Sequence, residues 1–184
     1  MSRYLQVALF SIASLLSLNV QSGDAEKKFS LGVGSYALTV AYENPVVGSD
    51  DEFGGLGLVG TYAFTDSFAI RGEYYSLGHD QVSSLKARGF DLVGHIGTRL
   101  ATQGFKAYVG GGLFSETWEF FSAEEDFSGL QFNGGIGYNW ESVSLDFVLG
   151  IRDPSDYEDF ILRATGITTT AVAVSGSLML SARF

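Results

Sequence analysis

The feature that most constrains this chain is its last stretch, residues 168–184, which reads TTTAVAVSGSLMLSARF. Val172, Val174, Leu178, Leu180 and Phe184 share one parity, and Ala173, Ser175, Ser177, Ser181 and Arg183 share the other. A side-chain period of two is the mark of a β-strand with one apolar face. A soluble strand usually runs about 5–6 residues, whereas a tilted strand crossing a bilayer needs roughly 9–11. A final strand that is apolar on one face leaves an open edge unless it pairs. The simplest partner is the first strand, and that pairing closes a barrel.

The same alternation recurs along the chain. Strands are expected over 28–42, 53–64, 68–77, 90–100, 105–118, 127–140 and 143–152, with 168–184 as the eighth. Tight turns centre on Asp66, Gln103 and Glu141, spaced 37 and 38 residues apart. Longer polar stretches fill 43–52, 78–89, 119–126 and 153–167. Short turns at one end and longer loops at the other are the asymmetry of membrane barrels. The expected fold class is therefore all-β, an eight-stranded antiparallel up-and-down transmembrane β-barrel. Two strands break parity. Phe29, Leu31 and Val33 oppose Tyr36, Leu38, Val40 and Tyr42, and Phe105 and Val109 oppose Phe114 and Trp118. A bulge adds one residue and switches faces, so bulges are expected near Gly34 and within Gly110 to Gly112.

The first 25 residues read as a leader rather than as part of the fold. Arg3 precedes an apolar run over 5–18, and small residues offer cleavage after Ser22 or Ala25. That is the pattern of a secretory signal peptide, leaving 26–184 as one barrel domain. The chain has no cysteine, so neither a disulfide framework nor a thiolate metal site is available. Its net charge of -10 argues against nucleic acid, which demands clustered Lys and Arg.

Alternation alone does not say which face is wet. A soluble exported lipocalin-like barrel would turn Leu and Phe inward. The polar face here is mostly Gly, Ala, Ser and Thr, too poor in charge for a solvated surface. Its charges nearly cancel: Arg71, Arg99, Lys106, Arg152 and Arg183 against Glu73, Asp91, Glu116 and Asp146. Buried ions require such pairing. We therefore expect an interior polar network containing Arg71, Glu73, Asp91, His95, Arg99, Asp146 and Arg152. Aromatics also fall into two girdles, as a bilayer interface selects: Phe64, Phe68, Phe105, Tyr138, Trp140 and Phe184 near the turns, and Phe53, Tyr74, Phe90 and Phe127 near the loops.

A terminal Phe closing an alternating apolar strand resembles the sorting signal of bacterial outer-membrane β-barrels, and the turn–loop pattern resembles the small OmpA/OmpX-like family. The resemblance implies that Phe184, Leu180 and Leu178 are read by the outer-membrane assembly machinery; Ala182 departs from the bulky residue more usual there. It further implies a monomeric barrel in the outer membrane of a Gram-negative bacterium, in contact with lipid and lipopolysaccharide, with loops free to meet a surface ligand. The interior of eight strands is filled by side chains, so a general diffusion pore is not expected.

Little in the sequence carries chemistry. The two histidines are His79, expected as an exposed loop residue, and His95, expected inside. Some small outer-membrane barrels modify lipid A. Their deacylase family carries a His-x-Ser pair, but Gln81 and Gly97 stand two residues past the histidines here. The palmitoyltransferase family uses outer-loop His, Asp and Ser, whereas Asp66-Ser67 falls in a periplasmic turn. The glycine runs lack the Lys-Ser or Lys-Thr of a phosphate loop, and the acidic clusters lack EF-hand spacing. No catalytic residue, cofactor or metal ligand is assigned. The expected role is a non-enzymatic one in envelope integrity or surface interaction, with a lipid A-modifying enzyme as the alternative.

Overall fold

The computed structural model describes residues 26–44, 50–121 and 123–184. The expected leader and its cleavage sites lie outside the described residues. Eight strands follow in order: β1 Phe29–Tyr42, β2 Asp51–Ala63, β3 Phe68–His79, β4 Leu85–Thr98, β5 Gly104–Phe120, β6 Ala123–Asn139, β7 Val143–Arg152 and β8 Ala171–Arg183. One helix, α1 Ser155–Thr165, sits between β7 and β8. Each strand pairs antiparallel with its neighbours, and β8 returns to β1, so the sheet is a closed barrel. Closure satisfies every ladder without an edge, which is what a bilayer demands. No helix among the described residues is long and apolar enough to cross a membrane.

The apolar parity faces outward. Leu56, Ile96, Val109 and Phe132 are each about two-thirds exposed or more on the barrel's outer surface, while Arg71, Asp91, His95 and Asp146 are buried inside. The expected girdle at the short turns stands: Phe64, Phe68, Phe105, Tyr138, Trp140 and Phe184 all face out. At the loop end, Tyr74 and Phe90 face out and are cross-strand partners. Phe53 and Phe127 do not belong to that girdle; both are buried inside.

That correction shares a cause with another. The bulges expected near Gly34 and Gly110 to Gly112 are absent. Pairing runs one for one along β1 from Phe29↔Tyr62 to Val40↔Asp51, and along β5 from Gly104↔Asn139 to Phe120↔Ala123. What changes along the strand is the environment. Toward the short-turn end the apolar residues are on the outer face, and Phe29, Leu31 and Val33 point out. Toward the loop end the apolar residues are on the inner face, and Tyr36, Leu38 and Val40 point in, as a barrel top standing in water would require. They join Phe53, Tyr75, Leu77, Phe114, Trp118 and Phe127 in one apolar core. A water-soluble barrel top thus stands on an inside-out membrane barrel, and parity is kept throughout.

The loops are shorter than charge content suggests. The second loop shrinks to 80–84, and β5 and β6 pair to within two residues of each other. Glu124, Glu125 and Asp126 therefore lie on β6 rather than in a loop. A charged segment reads as a loop, yet a strand above the membrane is equally solvated. The fourth loop folds as α1. Acidic Asp156 and Glu158 occupy its first turn and Arg163 its last, matching the helix dipole. Gly166 ends it in the left-handed conformation (φ 72°), donating its N–H to the Leu162 carbonyl.

The barrel interior as candidate functional site

The inward side chains form two hydrogen-bonded storeys. In the lower one, nearer the periplasmic turns, Asp146 of β7 is the hub. It accepts from Arg71 Nη2 at 3.1 Å, Lys106 Nζ at 2.8 Å, Tyr108 Oη at 2.7 Å and Ser144 Oγ at 2.8 Å. Arg71 also donates to Tyr108 Oη and to Thr61 Oγ1. His95 packs its ring against Tyr108 with centroids 4.6 Å apart, and its Nε2 lies 3.0 Å from Asn133 Oδ1. An amide oxygen only accepts, so Nε2 carries the proton.

In the upper storey the hub is Arg152, the last residue of β7, whose side chain is wholly enclosed. Its Nη1 donates to Glu116 Oε2 at 2.9 Å, and its Nη2 donates to Tyr36 Oη at 2.6 Å and to both oxygens of Asp91. The guanidinium lies 4.7 Å from the Phe114 ring centroid and 5.2 Å from that of Tyr75, within cation–π range. Glu116 accepts three further bonds, from Tyr75 Oη, Trp118 Nε1 and Tyr157 Oη. Between the storeys stands Glu73, with Oε1 buried and unpartnered.

Tyr157 is the one residue of α1 that reaches this network. Its ring stacks on Phe127 at 4.6 Å and lies parallel to Phe114 at 6.3 Å. Burial of the phenol and the neighbouring Glu116 carboxylate push its pKa far above the ordinary tyrosine value. The loop thereby supplies its own stopper at the barrel mouth. At the opposite end Lys27 donates its backbone N–H to Ala101 and its Nζ approaches Ser142 Oγ at 3.4 Å, so the N-terminal segment lies across the periplasmic opening. A cavity of about 20 Å³ behind it, lined by Lys106, Asn139 and Arg183 among others, has room for roughly one water.

The structure brings Arg71, Glu73, Asp91, His95, Asp146 and Arg152 into the interior. Arg99 is not among them. β4 ends at Thr98, and Arg99 is exposed in the following turn at φ 55°, donating to the Gln103 carbonyl at 3.1 Å. Its parity matched the inward set, but the strand had already ended. His79 also departs from expectation: it is the last residue of β3 and is buried. Phe184, Leu180 and Leu178 lie on the lipid-facing side of β8 or just past its end.

Sequence reasoning missed the tyrosines as ligands of the carboxylates. Tyr75 and Tyr108 stood on the polar parity, which was the available signal. For Tyr157 the signal was helical spacing: Tyr157, Phe160 and Ile161 fall at i, i+3 and i+4. Among the described residues no group of His, Cys, Asp or Glu is placed to hold a metal ion.

With the strand count, closure and outward apolar belt established, comparison with known proteins is decisive at the family level. The family model described as "Outer membrane protein beta-barrel domain" matches residues 8–178. The chain belongs to that family. It is an outer-membrane β-barrel, and its short turns are accordingly periplasmic and its long loops extracellular. No curated protein sequence matches it. Among solved structures, it is similar to Ail, the attachment invasion locus protein of Yersinia pestis, at 15% identity and TM-score 0.56, covering 87% of this chain and 100% of that one. It is also similar to OprG of Pseudomonas aeruginosa (16%, TM-score 0.55, 87% and 97% covered) and to Neisserial surface protein A (12%, TM-score 0.54, 84% and 95% covered). At such identities the likeness is one of fold. Ail has also been solved with the heparin analogue sucrose octasulfate.

Proposed function

We propose that this outer-membrane barrel is a non-enzymatic surface protein that works through its extracellular end, and that the partner it suits is cationic. The observation carrying this reading is where the charge lies. Inside the barrel Arg71, Lys106, Arg152 and Arg183 are matched by Glu73, Asp91, Glu116 and Asp146. At the periplasmic end Lys27, Lys28 and Arg99 are matched by Glu26, Asp66 and Glu141. The net charge of -10 therefore falls on the extracellular loops and strand tips, where Lys86, Arg88 and Arg163 are the basic residues. Arg88 and Arg163 are themselves engaged by Glu119 and Glu125. A surface of that sign steers cationic groups toward it and repels polyanions, so the sulfated ligand of Ail does not transfer to this chain.

A filled interior supports the non-enzymatic part: Asp91, Glu116 and Asp146 are held by arginine, lysine and phenols rather than left free to move protons. In the same reading, residues 1–25 are a leader removed on export, and Phe184, Leu180 and Leu178 are read by the assembly machinery. The barrel acts as a monomer embedded in lipid and lipopolysaccharide.

Protein in nanodiscs, presented to immobilised protamine and to heparin, tests the partner chemistry. Binding to protamine that weakens between 50 and 300 mM salt is expected, with none to heparin; these are roughly the ionic strengths over which screening shortens below 10 Å. Replacing Glu124, Glu125 and Asp126 by Lys should weaken protamine binding. Heparin binding by the unaltered protein would overturn the reading.

A further inference from the structure

We infer that the second extracellular loop, 80–84, is held shut by an acid-sensitive histidine clasp at His79. The inference rests on the orientation given above, with this loop outside the cell, but not on the nature of the partner.

The clasp is built from bonds to both ring nitrogens. The backbone N–H groups of Gln81 and Val82 each donate to His79 Nδ1, both at 3.1 Å. A ring nitrogen that accepts two hydrogen bonds must offer its lone pair, so it carries no proton. The proton of the neutral ring is therefore on Nε2, which lies 3.2 Å from Asp51 Oδ1 on β2 and donates to it. The other oxygen of Asp51 accepts from Tyr42 Oη of β1 at 2.9 Å. Phe53 meets the imidazole edge-on at 5.0 Å and 90°. The ring is thus fixed in position and tautomer by three strands, and it offers the loop a single acceptor.

A second proton can enter only at Nδ1. It turns the acceptor into a donor facing two other donors, and both amides lose their partner. Histidine is the side chain whose charge changes between pH 5 and 8. The charged groups around the ring are acidic where they touch it: Asp51 directly and, behind it, Asp50, whose carboxylate accepts from the Tyr42 N–H. Asp80 follows in the chain, and Lys86 of β4 stands across from Gly78. Protonation therefore strengthens the bond to Asp51 while it releases the loop. The release is local. Gln81 and Val82 are exposed, so their amides pass to water. Asp80 N–H still donates to the Glu52 carbonyl at 2.9 Å, which keeps the end of β3 in place. Acid thus frees the Gln81 and Val82 amides, while the Leu85 N–H keeps its bond to the Val82 carbonyl and the barrel is undisturbed.

The test is NMR on the full barrel in nanodiscs, with the imidazole nitrogens and loop amides followed from pH 8 to pH 5. At pH 8 the His79 ring should show a protonated Nε2 and a bare Nδ1. At pH 5 the protection factors of the Gln81 and Val82 amides should be at least tenfold lower than at pH 8. The Gly166 amide, bonded to the Leu162 carbonyl at the end of α1, should not change. Protection factors remove the intrinsic pH dependence of exchange. In His79→Gln the side chain cannot titrate in this range, so loop protection should be the same at both pH values, whether high or low. An Nδ1–H tautomer at pH 8, or Gln81 and Val82 protection that is unchanged between pH 8 and pH 5, would overturn the clasp. Either result leaves the charge-based reading of the surface standing, since that reading does not depend on this loop being closed.

Discussion

Replacing Arg152 by Met tests the upper storey directly. The guanidinium is the sole cation bonded to both Asp91 and Glu116 among the described residues. Removing one partner of a buried ion pair typically costs about 3–5 kcal/mol, because the opposite charge is left uncompensated. Here two carboxylates are left, so the upper end of that range is expected. Each keeps some relief: Asp91 retains Tyr36, and Glu116 retains Tyr75, Trp118 and Tyr157. We therefore expect a loss of about 4–5 kcal/mol rather than twice that. The discriminating variant combines Arg152→Met with Asp91→Asn and Glu116→Gln. It removes all three charges at once while the amides still meet the phenols, and replacing a buried charged group whole is often close to neutral. The triple variant should recover to within about 1–2 kcal/mol of the parent. Guanidinium unfolding in lipid vesicles, read by fluorescence, reports both. The chain has two tryptophans. A Trp140→Phe background isolates Trp118, which touches Glu116. A single variant within about 1 kcal/mol of the parent would refute the reasoning. So would a triple variant no more stable than the single.

Other consequences are more local. Asp66 bridges two periplasmic turns, accepting from Ala101 N, Thr102 N and Thr102 Oγ1. Burial opposes its ionisation, but the bonds from Thr102 and Ala101 outweigh it and hold the carboxyl below the ordinary range. A lowered folded pKa gives stability that is present above the unfolded value, about 3.9, and is lost as pH falls through the folded value; in Asp66→Asn a stability profile over pH 2–6 should lose the Asp66 contribution and be less steep than the parent's. Gly34 faces β8 so closely that an added Cβ would lie 1.9 Å from the Leu178 carbonyl oxygen. Gly34→Ala should therefore obstruct the seam between β1 and β8, and the compact, heat-modifiable gel band of the closed barrel should be lost. The unaltered protein should give no stable nanosiemens conductance in planar bilayers, since Arg71, Asp146 and Arg152 block the lumen; a reproducible open channel would contradict this.

The strand count and the inward set were legible because a period of two is local. Ser144, Asp146 and Arg152 could be assigned to the interior from β7 alone, without knowing what they touch. Their partners could not be assigned. Arg71 meets Asp146 from 75 residues away, and Arg152 meets Tyr36 from 116. Closure sets those distances, and several registers of the same eight strands would balance the same charges. Arg99 shows the limit of parity itself. It falls on the inward parity but one residue beyond β4, where the backbone has turned.

The absence of bulges in β1 and β5 has a more general cause in a barrel that is only partly immersed. A parity rule assumes one solvent for each face along the whole strand. On β1 and β5 the outer solvent changes from lipid to water partway up, and the apolar set moves from the outer face to the inner one at that level. Leu113 is outside and Phe114, its neighbour, is inside; both are apolar because each stands on the dry side at that height. An apparent register shift in such a strand therefore marks the level of the membrane surface, not a defect in pairing. The same logic explains the length of β5 and β6, at 17 residues each, against the roughly 9–11 that a crossing requires. The excess forms a barrel top with an ordinary apolar core, and a core needs a lid. α1 provides it by placing Tyr157 among Phe114, Trp118 and Phe127. A helix of 11 residues is marginal by itself in water. Its existence in the fourth loop follows from the dry surface that the rising strands leave for it to cover.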